Sequence, residues 1–204
     1  MAALSLAKSG DFSKKVSSIL SEALSSGDPI LTETVLASMS TMVDPGLDEL
    51  VEPLSLLLSS EQRITRGLAT KTLGRTGKTG LSAILWACRS DAEMARRGGA
   101  QALAIYCQRF EPGDSKGSKR QIFEMIESVL RELLRSDDRT VVLMALSAVT
   151  ELGAEAGSLL PYVSAPENAE DRLIAPRAQR AMRAILEGKG KAEQSDASNP
   201  ATEP

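Results

Sequence analysis

Apolar residues recur along the chain at helical spacing, each set behind a repeated start signal. A serine followed by an acid or a glycine stands at Ser26-Gly27-Asp28, Ser60-Glu61, Ser90-Asp91 and Ser136-Asp137, and a fifth start, without the serine, lies near Glu167-Asn168. Ser, Asp and Asn accept hydrogen bonds from the unpaired amides of a first helical turn, so each point predicts a helix N-terminus. The starts are 34, 30, 46 and 31 residues apart, room for two short helices and two turns. Behind Glu61 the apolar positions are Ile64, Leu68, Ala69 and Leu73; behind Asp91 they are Met94, Gly99, Ala102 and Leu103. Behind Asp137 they are Val141, Ala145, Ala148 and Val149; behind Glu170, Leu173, Ala178, Ala181 and Met182. Offsets of roughly 3, 8, 11 and 12 put each set on one helical face, and small residues in mid-helix let neighbours approach closely.

A second helix completes each unit. The predicted spans are 47–58, 79–89, 119–135 and 156–163, punctuated by Pro45, Gly77 and Pro161. An amphipathic helix over 12–24, with Phe12, Val16, Ile19, Leu20 and Leu24 on its apolar face, serves as an N-terminal cap. The predicted organisation is a capping helix over 1–25 and a repeat array over 26–187, with units near 26–59, 60–89, 90–135, 136–166 and 167–187. A polar tail, 188–204, is expected to be disordered. The long interval in the third unit comes from a loop at 111–118 and a longer second helix.

Two stretches carry a family likeness. Asp91, Met94, Arg96, Ala100 and Leu103, and the shorter Glu61, Ile64 and Arg66, follow an order of acid, aliphatic, arginine, alanine and leucine; 145–156 is an alanine-rich helix with Gly153 near its end. They resemble HEAT repeats, especially the short bacterial kind also found in phycobilin-lyase-like proteins, over roughly residues 26 to 187. The resemblance implies an all-α fold, an α-solenoid in which about five helical hairpins wind a right-handed superhelix. The end units depart from the pattern, and the position of Arg66 and Arg96 is Val142 in the fourth unit. Most members of the family are protein-binding scaffolds; a minority bind nucleic acid or act as enzymes. The family uses this arginine to bridge adjacent repeats, so Arg66 and Arg96 are read as structural rather than as a ladder for acidic groups.

Composition narrows the chemistry. Aromatic residues are only 3% of the chain, and the apolar mass is aliphatic, which suits closely packed helices. There is no histidine, which removes the commonest general base and zinc ligand. Cys88 and Cys107 are the only cysteines, too few for a zinc site or a disulfide framework, and read as small buried apolar residues. They fit a reducing compartment, and the expected location is the cytoplasm. No run approaches the roughly 18 uninterrupted apolar residues of a membrane-spanning helix, and the start of the chain has too short an apolar run for a signal peptide. Gly74-Arg75-Thr76-Gly77-Lys78-Thr79 suggests a phosphate loop, but Thr72 stands where that motif needs its first glycine. It reads instead as a turn between helices, with Gly74 as a left-handed cap. Glu124 and Glu127 read as solvated carboxylates, and Trp86 as a packing residue. No catalytic residue, cofactor or metal is expected, and the chain is not read as an enzyme.

The net charge is −3, which argues against a general coat on nucleic acid or membranes, but the charges are segregated. Residues 28–59 hold six acids and no base; 60–109 hold nine bases and three acids. A milder basic end follows at Arg172, Arg177, Arg180 and Arg183. The two main blocks either neutralise each other or present a partner surface. The function these features favour is a non-catalytic protein-interaction or scaffold module that binds through its second-helix ridge, as a free array or as a subunit of a larger complex. Its expected contact residues, between the apolar positions, are Arg63, Lys71, Glu93, Arg97, Gln101 and Arg139, with Thr70, Gln108 and Ser147. The alternative is a nucleic-acid-binding protein, like the HEAT-like DNA glycosylases, that uses the basic middle over 60–109.

Overall fold

The computed structural model describes residues 14–40, 48–109, 116–165 and 170–197. These form helices and turns, with no strand among them, and the chain divides into two compact units, Met1–Arg109 and Phe110–Pro204. The division falls inside the stretch 90–135, which the sequence grouped as one repeat, at the predicted long loop. Phe12, the loop at 111–115 and the fifth start at Glu167-Asn168 lie outside the described residues.

The first unit holds α1 (Lys14–Ser25), α2 (Pro29–Met39), α3 (Val51–Leu56, extended by 3-10 turns at Asp48–Leu50 and Leu57–Ser59), α4 (Arg63–Leu73), α5 (Gly77–Cys88) and α6 (Glu93–Cys107). The first helices α2, α4 and α6 stack side by side, and so do α1, α3 and α5. The closest packing joins α5 to α6, a second helix to the first helix of the next sequence unit. Leu20, Leu36, Leu54, Leu58, Leu73, Ile84 and Leu103 are fully buried between these layers, each stabilising the unit by roughly 1.5–3 kcal/mol. Cys88 and Cys107 are both buried.

The second unit holds α7 (Lys116–Leu133), α8 (Arg139–Leu152), a 3-10 segment (Gly153–Leu159), α9 (Leu160–Val163) and α10 (Ala175–Ala197). Its core gathers Ile126, Val129, Leu130, Val141, Ala145, Val149 and Ile185, with α10 against α8 and the 3-10 segment, and α7 against both. By composition alone Arg139–Val163 is long and apolar enough to cross a bilayer; here Gly153, at φ 55°, breaks it into separate pieces. The last helix runs past Gly188 to Ala197, where the sequence placed a structureless tail. Ala192, Glu193 and Gln194 are good helix formers, and low hydrophobicity alone does not prevent an existing helix from propagating.

The repeated serines do form a common device, but two residues ahead of the N-cap rather than at it. The amides of Asp28, Gln62, Ala92 and Asp138 donate to Ser26, Ser60, Ser90 and Ser136 Oγ at 3.1–3.2 Å. Each serine therefore closes a turn onto the residue two places on. Asp28 and Asp138 are the side chains that cap first-turn amides, those of Ile30 and Leu31 and of Thr140 and Val141. Asp171 does the same for Leu173 and Ile174.

Gly74 is likewise not the left-handed residue of its turn. Its φ is −62°, and it is Gly77 that sits at φ 65°. Gly74 is small because α6 presses on it: a Cβ there would lie 2.8 Å from the Ala102 carbonyl oxygen.

Candidate partner-binding surface

The sequence-named contact residues lie on first helices rather than on a second-helix ridge. Arg63 and Lys71 are exposed on α4, Glu93 and Gln101 on α6, and Arg139 on α8; Gln108 is exposed just past α6. Arg97 is half-buried and paired with Glu93 at 2.7 Å. Arg139 is paired with Asp171 at 2.7 Å, and Ser147 accepts a hydrogen bond from Arg177 at 3.0 Å. Thr70 is buried, its hydroxyl donating to the Arg66 carbonyl at 2.8 Å. Arg63 and Lys71 share α4, and Glu93, Arg97 and Gln101 share α6, where Glu93 and Arg97 form an ion pair. Arg139 belongs to the other unit.

Most of the basic block is spent on the fold. Arg66 and Arg96 donate to the Ser60 and Ser90 carbonyls at 2.5 and 3.0 Å, closing the turn ahead of their own helix rather than bridging repeats. Bridging falls to other arginines. Arg75 donates to the Ser40 carbonyl, and Arg109 to the Arg75 carbonyl at 3.4 Å. These contacts chain together the C-terminal ends of α2, α4 and α6. Five of the nine bases over 60–109 are thus engaged by carbonyls or by Glu93.

In the acidic block Asp28 caps its helix and Glu33 accepts from the Thr65 hydroxyl at 3.0 Å, but other acids on the second helices differ. Asp48, Glu49 and Glu52 are exposed on α3 and its leading turn, and Glu22 is exposed on α1. None of these four is in an ion pair among the described residues. Neutralisation by the basic block therefore does not account for them.

On the same second helices the structure exposes two large apolar side chains, Leu56 at 69% and Trp86 at 68%. Each stands four residues before a turn serine, and α3 and α5 lie side by side. Glu22 holds the matching position on α1. Trp86 is therefore not a packing residue. Its helix buries Leu81, Ile84, Leu85 and Cys88, a stripe that Trp86 falls outside at 100° per residue. Ile64, Met94 and Leu173, expected in the core, are exposed too. They sit in the first turn or just ahead of it, where no neighbouring helix covers them.

Two groups in the described residues have shifted acidities. Asp171 is held below the ordinary carboxylate range, first by the Arg139 hydrogen bond and then by the Leu173 amide. Burial pushes the Tyr106 phenol up, and Cys107 adds to the shift. Neither group lies on the ridge, and no cluster of three His, Cys, Asp or Glu side chains able to hold a metal occurs among the described residues.

No family model matches the chain, and no curated protein matches its sequence. Solved structures do. A designed armadillo repeat protein in complex with the peptide (KR)4 superposes with a TM-score of 0.56 at 16% identity, covering 84% of this chain and 82% of that one. The chain has a HEAT- and armadillo-type helical-repeat fold. A second engineered protein matches with a TM-score of 0.55 at 20% identity, over 92% of this chain and 90% of the other. A tumor overexpressed gene (TOG) domain array of microtubule polymerases, described for tubulin recruitment and assembly, matches with a TM-score of 0.59 at 12% identity. That match covers 90% of this chain and 43% of the array. In this fold the expected all-α solenoid is realised.

Proposed function

We propose that this HEAT-type array is a non-catalytic protein-interaction module, and that a basic segment of a partner protein docks on the ridge of α1, α3 and α5. The observation that carries the reading is the exposed pair Leu56 and Trp86 on the same row of helices as four exposed acids, Glu22, Asp48, Glu49 and Glu52, none of them in an ion pair among the described residues. An exposed indole face attracts a lysine or arginine side chain by about 0.5–2 kcal/mol. The carboxylates around it steer a cationic segment in and select against acidic ones, and Leu56 offers an apolar contact next to them. The peptide and tubulin partners of the structural neighbours support a protein partner. The two buried thiols suit a reducing, cytoplasmic setting.

Trp86 is the only tryptophan, so its fluorescence reports directly on the ridge. Titration with a Lys/Arg-rich peptide is expected to shift or quench the emission, with affinity falling as salt rises. Trp86→Ala and Glu52→Lys are expected to weaken binding measured by calorimetry. Charge reversal at Arg63, Lys71 and Arg97 separates this ridge from the first-helix face: it leaves ridge binding in place. If that triple variant loses a partner that Trp86→Ala and Glu52→Lys retain, the first-helix residues are the site and the ridge is not.

A further inference from the structure

The second unit carries a surface of the opposite sign. Arg172, Arg180 and Arg183 are exposed on α10 and the turn before it, and no ion pair of theirs occurs among the described residues. Leu173 and Leu186 flank them at 57% and 55% exposure. Glu187 is the one exposed acid on this face of α10 among the described residues. All the bases at 172–183 are arginine, whose planar fork suits carboxylates and stacks on aromatic faces, as lysine does not. The chain already sets arginines over an aromatic face: Arg131 and Arg135 lie 5.5 and 4.7 Å from the centre of the Tyr162 ring.

We infer that this face of α10 docks on the α1–α3–α5 ridge of a second copy of the chain, so that copies associate head to tail. The inference rests on the ridge being a binding surface. The two faces match group for group: arginines against carboxylates, neither set in an ion pair among the described residues, an arginine for the Trp86 face, and exposed leucines for Leu56. They also match in length. The helical part of the face, from Ala175 to Leu186, spans about 16 Å at a rise of about 1.5 Å per residue, with Arg172 and Leu173 in the turn ahead of it. The ridge is three helices wide, and two interaxial steps of roughly 8–10 Å make about 16–20 Å. Because the patches differ, the contact is heterologous, and each added copy leaves one ridge and one α10 face free.

The test is the mass of the full chain in solution, by light scattering or sedimentation, over roughly a hundredfold range of concentration at low salt. The expected result is a mass that climbs above the monomer's 21.7 kDa with concentration and returns to it at high salt. One variant reverses the face (Arg180→Glu with Arg183→Glu); another reverses the ridge (Glu49→Arg with Glu52→Arg). Each alone should stay monomeric, whereas an equimolar mixture should associate again, because each reversed face then meets a complementary one. That recovery also shows that both variants are folded. A wild-type chain that is monomeric throughout, or an Arg180/Arg183 reversal that still associates, overturns the inference. If such a chain still binds a basic peptide at Trp86, the ridge reading stands and only the self-association fails.

Discussion

Replacing Gly99 by alanine tests the closest packing in the first unit, with Gly67→Ala as its control. Both glycines lie inside helices, α6 and α4, so both substitutions gain the same helix propensity, about 1 kcal/mol. Their surroundings differ. A Cβ on Gly67 meets nothing within 4 Å. A Cβ on Gly99 would lie 2.6 Å from the Cys88 nitrogen and 2.8 Å from the Ala87 carbonyl carbon. Ordinary contact needs about 3.5–4.0 Å, and because these are backbone atoms no rotamer relieves the overlap. The helices must move apart by about 1 Å, and every contact along the seam then weakens. Overpacking of this kind costs about 1–3 kcal/mol. With a backbone clash at the upper end of that range, Gly99→Ala nets a loss of about 2 kcal/mol. For a chain of this size, Gly67→Ala should raise the melting temperature by about 2–4 °C and Gly99→Ala lower it by about 4–8 °C. Urea midpoints followed by far-UV circular dichroism provide the comparison. If the two variants shift in the same direction, α5 and α6 do not meet at Gly99 and the reasoning is refuted.

Three further expectations follow from single contacts. Arg75→Leu removes the donor to the part-buried Ser40 carbonyl and should cost about 1–3 kcal/mol; Arg75→Lys, lacking the fork, should recover only part of it in the same urea assay. The lowered pKa of Asp171 means that its ionised form is favoured in the folded state. Its contribution is fully present above the unfolded value of about pH 4 and is lost as pH falls through the lowered folded value. Asp171→Asn should therefore destabilise the protein at neutral pH, with the gap to wild type closing in acid; a gap that is constant with pH would show that Arg139 does not select the charged form. Cys88 and Cys107 should react with a thiol reagent only after unfolding, and rapid labelling of the native chain would contradict their burial.

What the sequence revealed and what it hid follow one physical rule. Element existence was readable because apolar periodicity and turn residues are local. The predicted spans 79–89 and 119–135 meet α5 and α7 within a few residues. Which face meets which neighbour is not local. Ile64 and Met94 continue the apolar pattern of their helices yet lie in the first turn, beyond the reach of the next helix. Thr70 looks polar and exposed, but a hydroxyl that returns its hydrogen bond to the preceding turn is readily buried. The Trp86 signal was present: it sits off the stripe of Leu81, Ile84, Leu85 and Cys88, and it matches Leu56 relative to the turn serines. Its size and apolar company masked that register. The charge blocks were legible as blocks, but the use of Arg75 and Arg109 was not, because their acceptors are backbone carbonyls that leave no mark in the sequence.

The chained arginines have a consequence for how such an array can change length. Each guanidinium takes its acceptor from the main chain of the preceding repeat, so the receiving residue can be of any type; Ser40→Ala leaves the carbonyl in place. The contact demands one letter per repeat, and that letter travels with the helix that carries it. Duplicating or deleting a whole repeat therefore adds or removes a donor together with the next acceptor, and no charged group is stranded at the join. Growth by copying is open to this part of the chain without any compensating substitution, whereas an ion pair between two side chains would require both partners to be kept in step.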